Sequence, residues 1–260
     1  METKIIAAES AHFYDRAGSP MYEVQSRNGL MRPTTLADAR KLDLVPSTTK
    51  VIGDTARRPG LERYWEDQLL DSALTLQIIE GELADQRKQR IREDAKEHSR
   101  KAAERGTELH KAIENYIQGN GDLVPDQFAA HVSKLDETLG QYGIDLWKGK
   151  AEHSFASSSF GYGGKIDWHN DHILIDFKIK DEIKNVKKLA WPEHCWQLAA
   201  YDIGIGGYSL WNHRRLINVF IGVDDCEVRI HEWEPEDAKK GWNIFEHLLA
   251  FWRLKNDYNP

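Results

Sequence analysis

The sequence predicts an α/β fold, a central mixed β-sheet flanked by helices, behind a helical N-terminal region. Three observations carry that prediction. Residues 163–180, GGKIDWHNDHILIDFKIK, alternate as a β-hairpin does around Asn170-Asp171. Residues 216–223 and 227–233 form two further β-prone runs, joined at Asp224-Asp225-Cys226. Helical patterns lie between and after them. Pro192 opens an apolar segment closed by Gly204, Gly206 and Gly207, and Pro235 opens an amphipathic one with Trp242, Phe245, Leu249 and Trp252 on its apolar side.

Taken in order, the chain is irregular to about residue 30, with one early strand or arm at 22–25. Residues 33–44 and 47–52 give short helices, with Thr35 and Ser47 as N-caps whose hydroxyls accept from first-turn amides. Pro59-Gly60-Leu61-Glu62-x-x-Trp65 opens another helix running towards Ile79, and Tyr64 and Trp65 are expected in its packed core. Between Arg87 and Arg105 eight basic residues, Arg100 and Arg105 among them, outnumber four acidic ones. From pattern alone this is a solvated helix face. His110 follows on a helix beside the apolar stripe Leu109, Ala112, Ile113 and Tyr116, the setting of a core or boundary histidine.

The hairpin is the most informative element. A two-residue turn at Asn170-Asp171 pairs His169 with His172, Asp167 with Leu174 and Lys165 with Asp176. Opposed residues share a face and side chains alternate. Asp167, Asp176 and Lys178 therefore fall on one face, and Ile166, Trp168, Ile173, Ile175 and Phe177 on the other, which can be buried against a helix. Two carboxylates at diagonal cross-strand positions can converge on one hard cation such as Mg²⁺. A metal with a neighbouring ammonium is what phosphodiester hydrolysis requires, because charge builds on the phosphoryl oxygens in the transition state.

Glu152, Gly164-x-x-Asp167, Asp176-Phe177-Lys178 and Gln197-x-x-x-Tyr201, with Gly106-Thr107-x-x-His110 upstream, resemble the PD-(D/E)XK nuclease superfamily in its RecB-type and phage-type exonuclease branch. The resemblance spans about residues 100–205, and the N-terminal hundred more loosely. It departs at Ile166, which precedes Asp167 where the family name has proline. What it implies is a restriction-endonuclease-like core, Mg²⁺ or Mn²⁺ as cofactor, and catalytic roles for Glu152, Asp167, Asp176 and Lys178. Metal would be held by His110, Asp167, Asp176 and the Phe177 carbonyl. Gln197 and Tyr201, sharing a helix face at i, i+4, would line the DNA path. In such an enzyme Arg100, Arg105, Lys187 and Lys188 become DNA contacts. The resemblance further implies removal of nucleotides from DNA ends in phage or mobile-element recombination, repair or turnover, with a single-strand-annealing or recombination protein as a partner. The alternatives are a structure-selective endonuclease and a non-catalytic DNA-binding accessory protein that kept the fold.

Composition sets the outer bounds. With 260 residues, 40% hydrophobic, and nine tryptophans, the chain can bury a full core. No linker or repeat divides it, so 1–260 is expected as one domain, helical over 1–100 and catalytic over 101–260. Two cysteines, Cys195 and Cys226, make no disulfide framework and are too few for a four-cysteine iron–sulfur cluster. His169, His172 and His194 with Cys195 lack the spacing of a zinc site, and His110 with Glu114 lacks a third ligand. No apolar run of about 18 residues and no signal-peptide pattern appear, so a cytoplasmic protein of a bacterial or phage-infected cell, without membrane contact, is expected. A net charge of −7 excludes a protein coated in nucleic acid and leaves room for a local basic patch.

Overall fold

A computed structural model describes residues 12–57, 59–207 and 214–260. Two compact units result, one of residues 57–109 and the other of residues 1–56 with 110–260.

The larger unit begins with short pieces. β1 (Phe13–Tyr14), β2 (Glu23–Gln25) and β3 (Met31–Pro33) lead into α1 (Leu36–Leu42), β4 (Val45–Pro46) and α2 (Thr48–Thr55). β1 pairs with β4, and β2 with β3. Thr35 and Ser47 cap their helices as expected: Thr35 forms a reciprocal capping box with Asp38, and the Ser47 hydroxyl accepts from Lys50 N at 2.9 Å. Pro33, expected inside the first helix, lies in β3 instead, because Thr35 takes an extended backbone and the helix begins after it.

The smaller unit holds α3 (Pro59–Thr75) and most of α4 (Ala84–Ile117), whose C-terminal part from His110 onward belongs to the larger unit. Tyr64 and Trp65, expected in a packed core, are 38% and 44% exposed. Ser72 is the buried residue of α3, so no packed layer covers these rings. Arg100 forms ion pairs with Glu97 and Glu104 along its own helix.

After α5 (Ala129–Gln141), five strands build the main sheet: β5 (Lys150–Ser157), β6 (Tyr162–His169), β7 (Ile173–Lys180), β8 (Arg215–Gly222) and β9 (Val228–Trp233), side by side in that order. Only β7 and β8 run parallel, because α6 (Pro192–Gly206) carries the chain across between them. The sheet is therefore mixed. The last element, α7 (Pro235–Asn256), packs with α6, and Tyr162, Ile166, Leu198, Leu216, Trp242, Phe245, Leu249 and Trp252 form one core. Gly164 is required by that packing, since a Cβ there would sit 2.5 Å from the Tyr201 ring. No described helix is long and apolar enough to cross a membrane.

The hairpin register differs from the expected one. His169 pairs with Leu174, not His172, a shift of two residues. Asn170 is the cause: its Oδ1 accepts from both His172 N and Ile173 N at 2.8 Å, so the turn needs residues 170–173. A slip of two preserves alternation where the two strands pair. Ile166, Trp168, Ile173, Ile175 and Phe177 are all buried.

Candidate active site

One row of side chains crosses the main sheet. The β5–β6 pairs Ala151↔Trp168 and His153↔Ile166 bracket Glu152 and Asp167 as opposed neighbours. The last β6–β7 pair, Trp168↔Ile175, leaves Asp167 and Asp176 as the next residues where the two strands part. Asp176 then faces Asn218 on β8, and Asn218 faces His231 on β9.

At this row the sheet departs from regular geometry. β6 and β7 pair at only two positions before they part, and the Phe177 N–H donates to Asp167 Oδ2 at 2.7 Å instead of to a strand carbonyl. Glu152 stands at φ 54°, a left-handed conformation uncommon for glutamate within a strand. Both distortions lie beside His110 of α4. There His110 Nε2 lies 3.4 Å from Asp167 Oδ2, and one donor atom from each of His110, Glu152 and Asp167 lies within 4.8 Å of the others. An imidazole nitrogen and two carboxylates, brought together from a helix and two strands, form a donor set suited to a divalent cation. Among the described residues this is the one group of three metal-binding side chains.

The electrostatics follow from burial. Burial raises the Glu152 carboxyl above its usual range and Asp167 adds to the rise, while an ion pair with Lys165 opposes both. For Asp167 burial again acts upward, but the His110 ring, Lys178 and the Phe177 N–H outweigh it and hold the group below its usual value. Asp176 is raised, chiefly by burial, with Lys178 pulling against it and Asp167 adding to it.

Asp176 sits beside the His110, Glu152 and Asp167 group in a cage of donors. Lys178 Nζ lies 2.9 Å from Oδ1 and 2.8 Å from Oδ2, Gln197 Nε2 donates to Oδ1 at 2.8 Å, and Asn218 Nδ2 donates to Oδ2 at 2.7 Å. Lys178 also donates to Gln197 Oε1 at 3.1 Å. Gln197 and Tyr201 are both buried, and Gln197 Nε2 donates to the Tyr201 hydroxyl at 3.1 Å. Gln197 thus joins the Asp176–Lys178 pair to Tyr201. Phe177 packs edge-on against the His110 ring.

The basic residues named from the sequence lie on other elements. Lys187 and Lys188 are exposed in the segment between β7 and α6, with the Lys188 ammonium 4.4 Å from the centre of the Trp191 ring. Asp225 holds this segment, its Oδ2 accepting from Ile183 N and Lys184 N at 2.7 Å. Arg100 and Arg105 belong to the smaller unit.

Three residues at the site escape the sequence patterns: Lys165, Asn218 and Trp233. A signal existed for Asn218, the one polar residue in the run Leu216 to Gly222 of a strand buried on both faces. Lys165 alternates onto the face of Asp167, a placement the hairpin pattern contained.

No protein-family model matches the chain. No curated protein matches it. Among solved structures it is similar to a candidate exonuclease from Eubacterium rectale, at 13% identity and a TM-score of 0.40, over 60% of this chain and 69% of that one. It is also similar to the protein SSO0001, at 14% identity and a TM-score of 0.24, over 74% of this chain and 87% of that one. Scores at this level leave the function to be argued from the site itself.

Proposed function

We propose that this chain is a divalent-metal-dependent deoxyribonuclease with a restriction-endonuclease-like core, of the PD-(D/E)XK type, that removes nucleotides from DNA ends. The observation that carries the proposal is the convergence of His110, Glu152 and Asp167 beside the Asp176–Lys178 pair. The donor set fits Mg²⁺ or Mn²⁺: two carboxylates and one imidazole are hard to borderline ligands, and no thiolate is among them. When bound, the cation lowers the pKa of the attacking water and neutralises charge on the phosphoryl oxygens.

The chain's own groups do the rest. His110, Glu152 and Asp167 hold the cation, with Asp176 next in the row. Lys178 orients the nucleophile and offers positive charge to the developing oxyanion. Gln197 keeps the ammonium in place from α6 while also holding Asp176, so the pair is fixed before substrate arrives. Lys187 and Lys188 supply exposed charge for the DNA backbone. Action on ends, a role in phage or mobile-element recombination, and pairing with a strand-annealing protein follow from the resemblance of the motifs.

The test is cleavage of end-labelled single- and double-stranded linear DNA beside closed circles, with Mg²⁺, Mn²⁺ or EDTA, for the wild type and Lys178→Ala. Metal-dependent loss of linear substrate alone, abolished in the variant, is the expected result. Cutting of circles would make the protein an endonuclease, and an absence of cutting under every condition would overturn the proposal.

A further inference from the structure

Of the three side chains that grip Asp176, Lys178 and Gln197 belong to the motifs of the nuclease resemblance and Asn218 does not. Asn218 is completely buried on β8, directly beside Asp176 in the parallel register. Its Nδ2 donates to Asp176 Oδ2 at 2.7 Å, and its Oδ1 accepts from Trp233 Nε1 on β9 at 2.7 Å.

An asparagine amide is nearly symmetric in shape and opposite in function at its two ends. Turned over, it would press an oxygen lone pair against the carboxylate. The indole N–H of Trp233 can only donate, so it demands the oxygen end of Asn218 and sends the amino end to Asp176. We infer that Asn218 and Trp233 are positioning residues for the reaction: the indole selects the amide's orientation, and the amide fixes the Asp176 carboxylate. With Asn218 on Oδ2 and Gln197 on Oδ1, the carboxylate cannot rotate, and Lys178, which contacts both oxygens, is fixed with it. This inference rests on the nuclease reading.

A double-mutant cycle tests it, with Asn218→Ala, Trp233→Phe and the pair compared with wild type. The readouts are kcat and KM on linear DNA with Mn²⁺, Mn²⁺ binding alone by calorimetry, and the melting temperature. Outer-shell partners of a metal site are typically worth about 10- to 100-fold in metal affinity or activity. Asn218→Ala is expected to lower kcat by about that factor with KM for DNA unchanged, and to weaken Mn²⁺ binding in parallel. Trp233→Phe should produce a smaller loss of the same kind. The double variant should be no worse than Asn218→Ala, because the indole acts only through the amide.

Additive effects would overturn the inference, as would a folded Trp233→Phe equal to wild type in both kcat and Mn²⁺ binding. Should Asn218→Ala fail to fold, Trp233→Phe decides by itself, since its ring is only partly buried. A wild type that cuts DNA while the folded variants match it removes the positioning role and leaves the nuclease. A wild type that neither cuts DNA nor binds Mn²⁺ removes both.

Discussion

Replacing Asp167 with asparagine separates what this carboxylate does for the fold from what it does for the chemistry. The residue is 6% exposed and its carboxylate accepts from the Phe177 N–H at 2.7 Å. An amide oxygen can still take that hydrogen bond, so the strand contact survives. What disappears is charge. The attractions lost are to the charged form of the His110 ring 3.4 Å away, about 5 kcal/mol at an effective dielectric constant of about 20, and to the Lys178 ammonium. Glu152, with its oxygen within 4.8 Å, contributes a repulsion of about 3.5 kcal/mol that is relieved at the same time, and Asp176 adds to the relief. The two effects nearly cancel.

Asp167→Asn is thus expected to change stability by about 1–2 kcal/mol at most, a shift of roughly 2–8 °C in melting temperature for a chain of this size. Activity should respond very differently. A metal contributes several kcal/mol of transition-state stabilisation, and losing about 4 kcal/mol of it lowers the rate about a thousandfold. The assay pairs a thermal melt with Mn²⁺-dependent cleavage of end-labelled DNA. A variant that melts with wild type and cuts within tenfold of it would refute the assignment of Asp167 as a ligand.

Other outcomes follow from the same structure. Gly164→Ala forces a Cβ to within 2.5 Å of the Tyr201 ring, and the overpacking should destabilise by about 1–3 kcal/mol, read as a lower midpoint in urea with unchanged slope. Asp225→Ala leaves the Ile183 and Lys184 amides without their acceptor. Faster hydrogen exchange across residues 183–189 is expected, at a cost of about 1–3 kcal/mol. Burial holds His169 and His194 neutral, lowering them from 6.5 to about 4 and about 2 respectively. The unfolded chain then binds more protons below 6.5, so stability is lost as pH falls through the range from 6.5 to the folded values. His194→Asn keeps an acceptor for the Trp191 N–H and should flatten this acid limb in melts recorded across pH, and an unaltered limb would rule His194 out as a source.

Much of the fold was legible because periodicity encodes which face a residue occupies. The Thr35 and Ser47 caps, the α6 and α7 starts at Pro192 and Pro235, and the burial of the hairpin's apolar face all follow from local chemistry. The register of the hairpin was misjudged because Asn170 used its side chain to enlarge the turn, a choice that an Asn-Asp pair does not announce. Tyr64 and Trp65 were misjudged because the size of an aromatic ring says nothing of whether a partner layer exists. At the site, Asp176 and Lys178 share a face by alternation along β7. The approach of His110 and Glu152 depends on tertiary packing and on a positive φ, which only the motif resemblance anticipated.

The local rules that this chain breaks are broken along one row of the sheet. Glu152 adopts a left-handed backbone inside a strand, Phe177 gives its N–H to a carboxylate where a ladder carbonyl is the ordinary partner, and Asn218 puts an amide into a run of apolar residues. The backbone outlier costs roughly 1–3 kcal/mol, and a buried polar group costs about as much once its partner is lost. A surface hairpin carrying ordinary solvated charges would have no reason to accept any of them, since relaxing each would leave the strands better paired. All three departures instead surround Asp167 and its neighbours: one lies at a carboxylate near His110, one fixes Asp167, and one holds Asp176. Concentration of strain and buried polar groups around two acids and a lysine is the expected signature of a site built to bind charge, and it argues for function independently of any family motif.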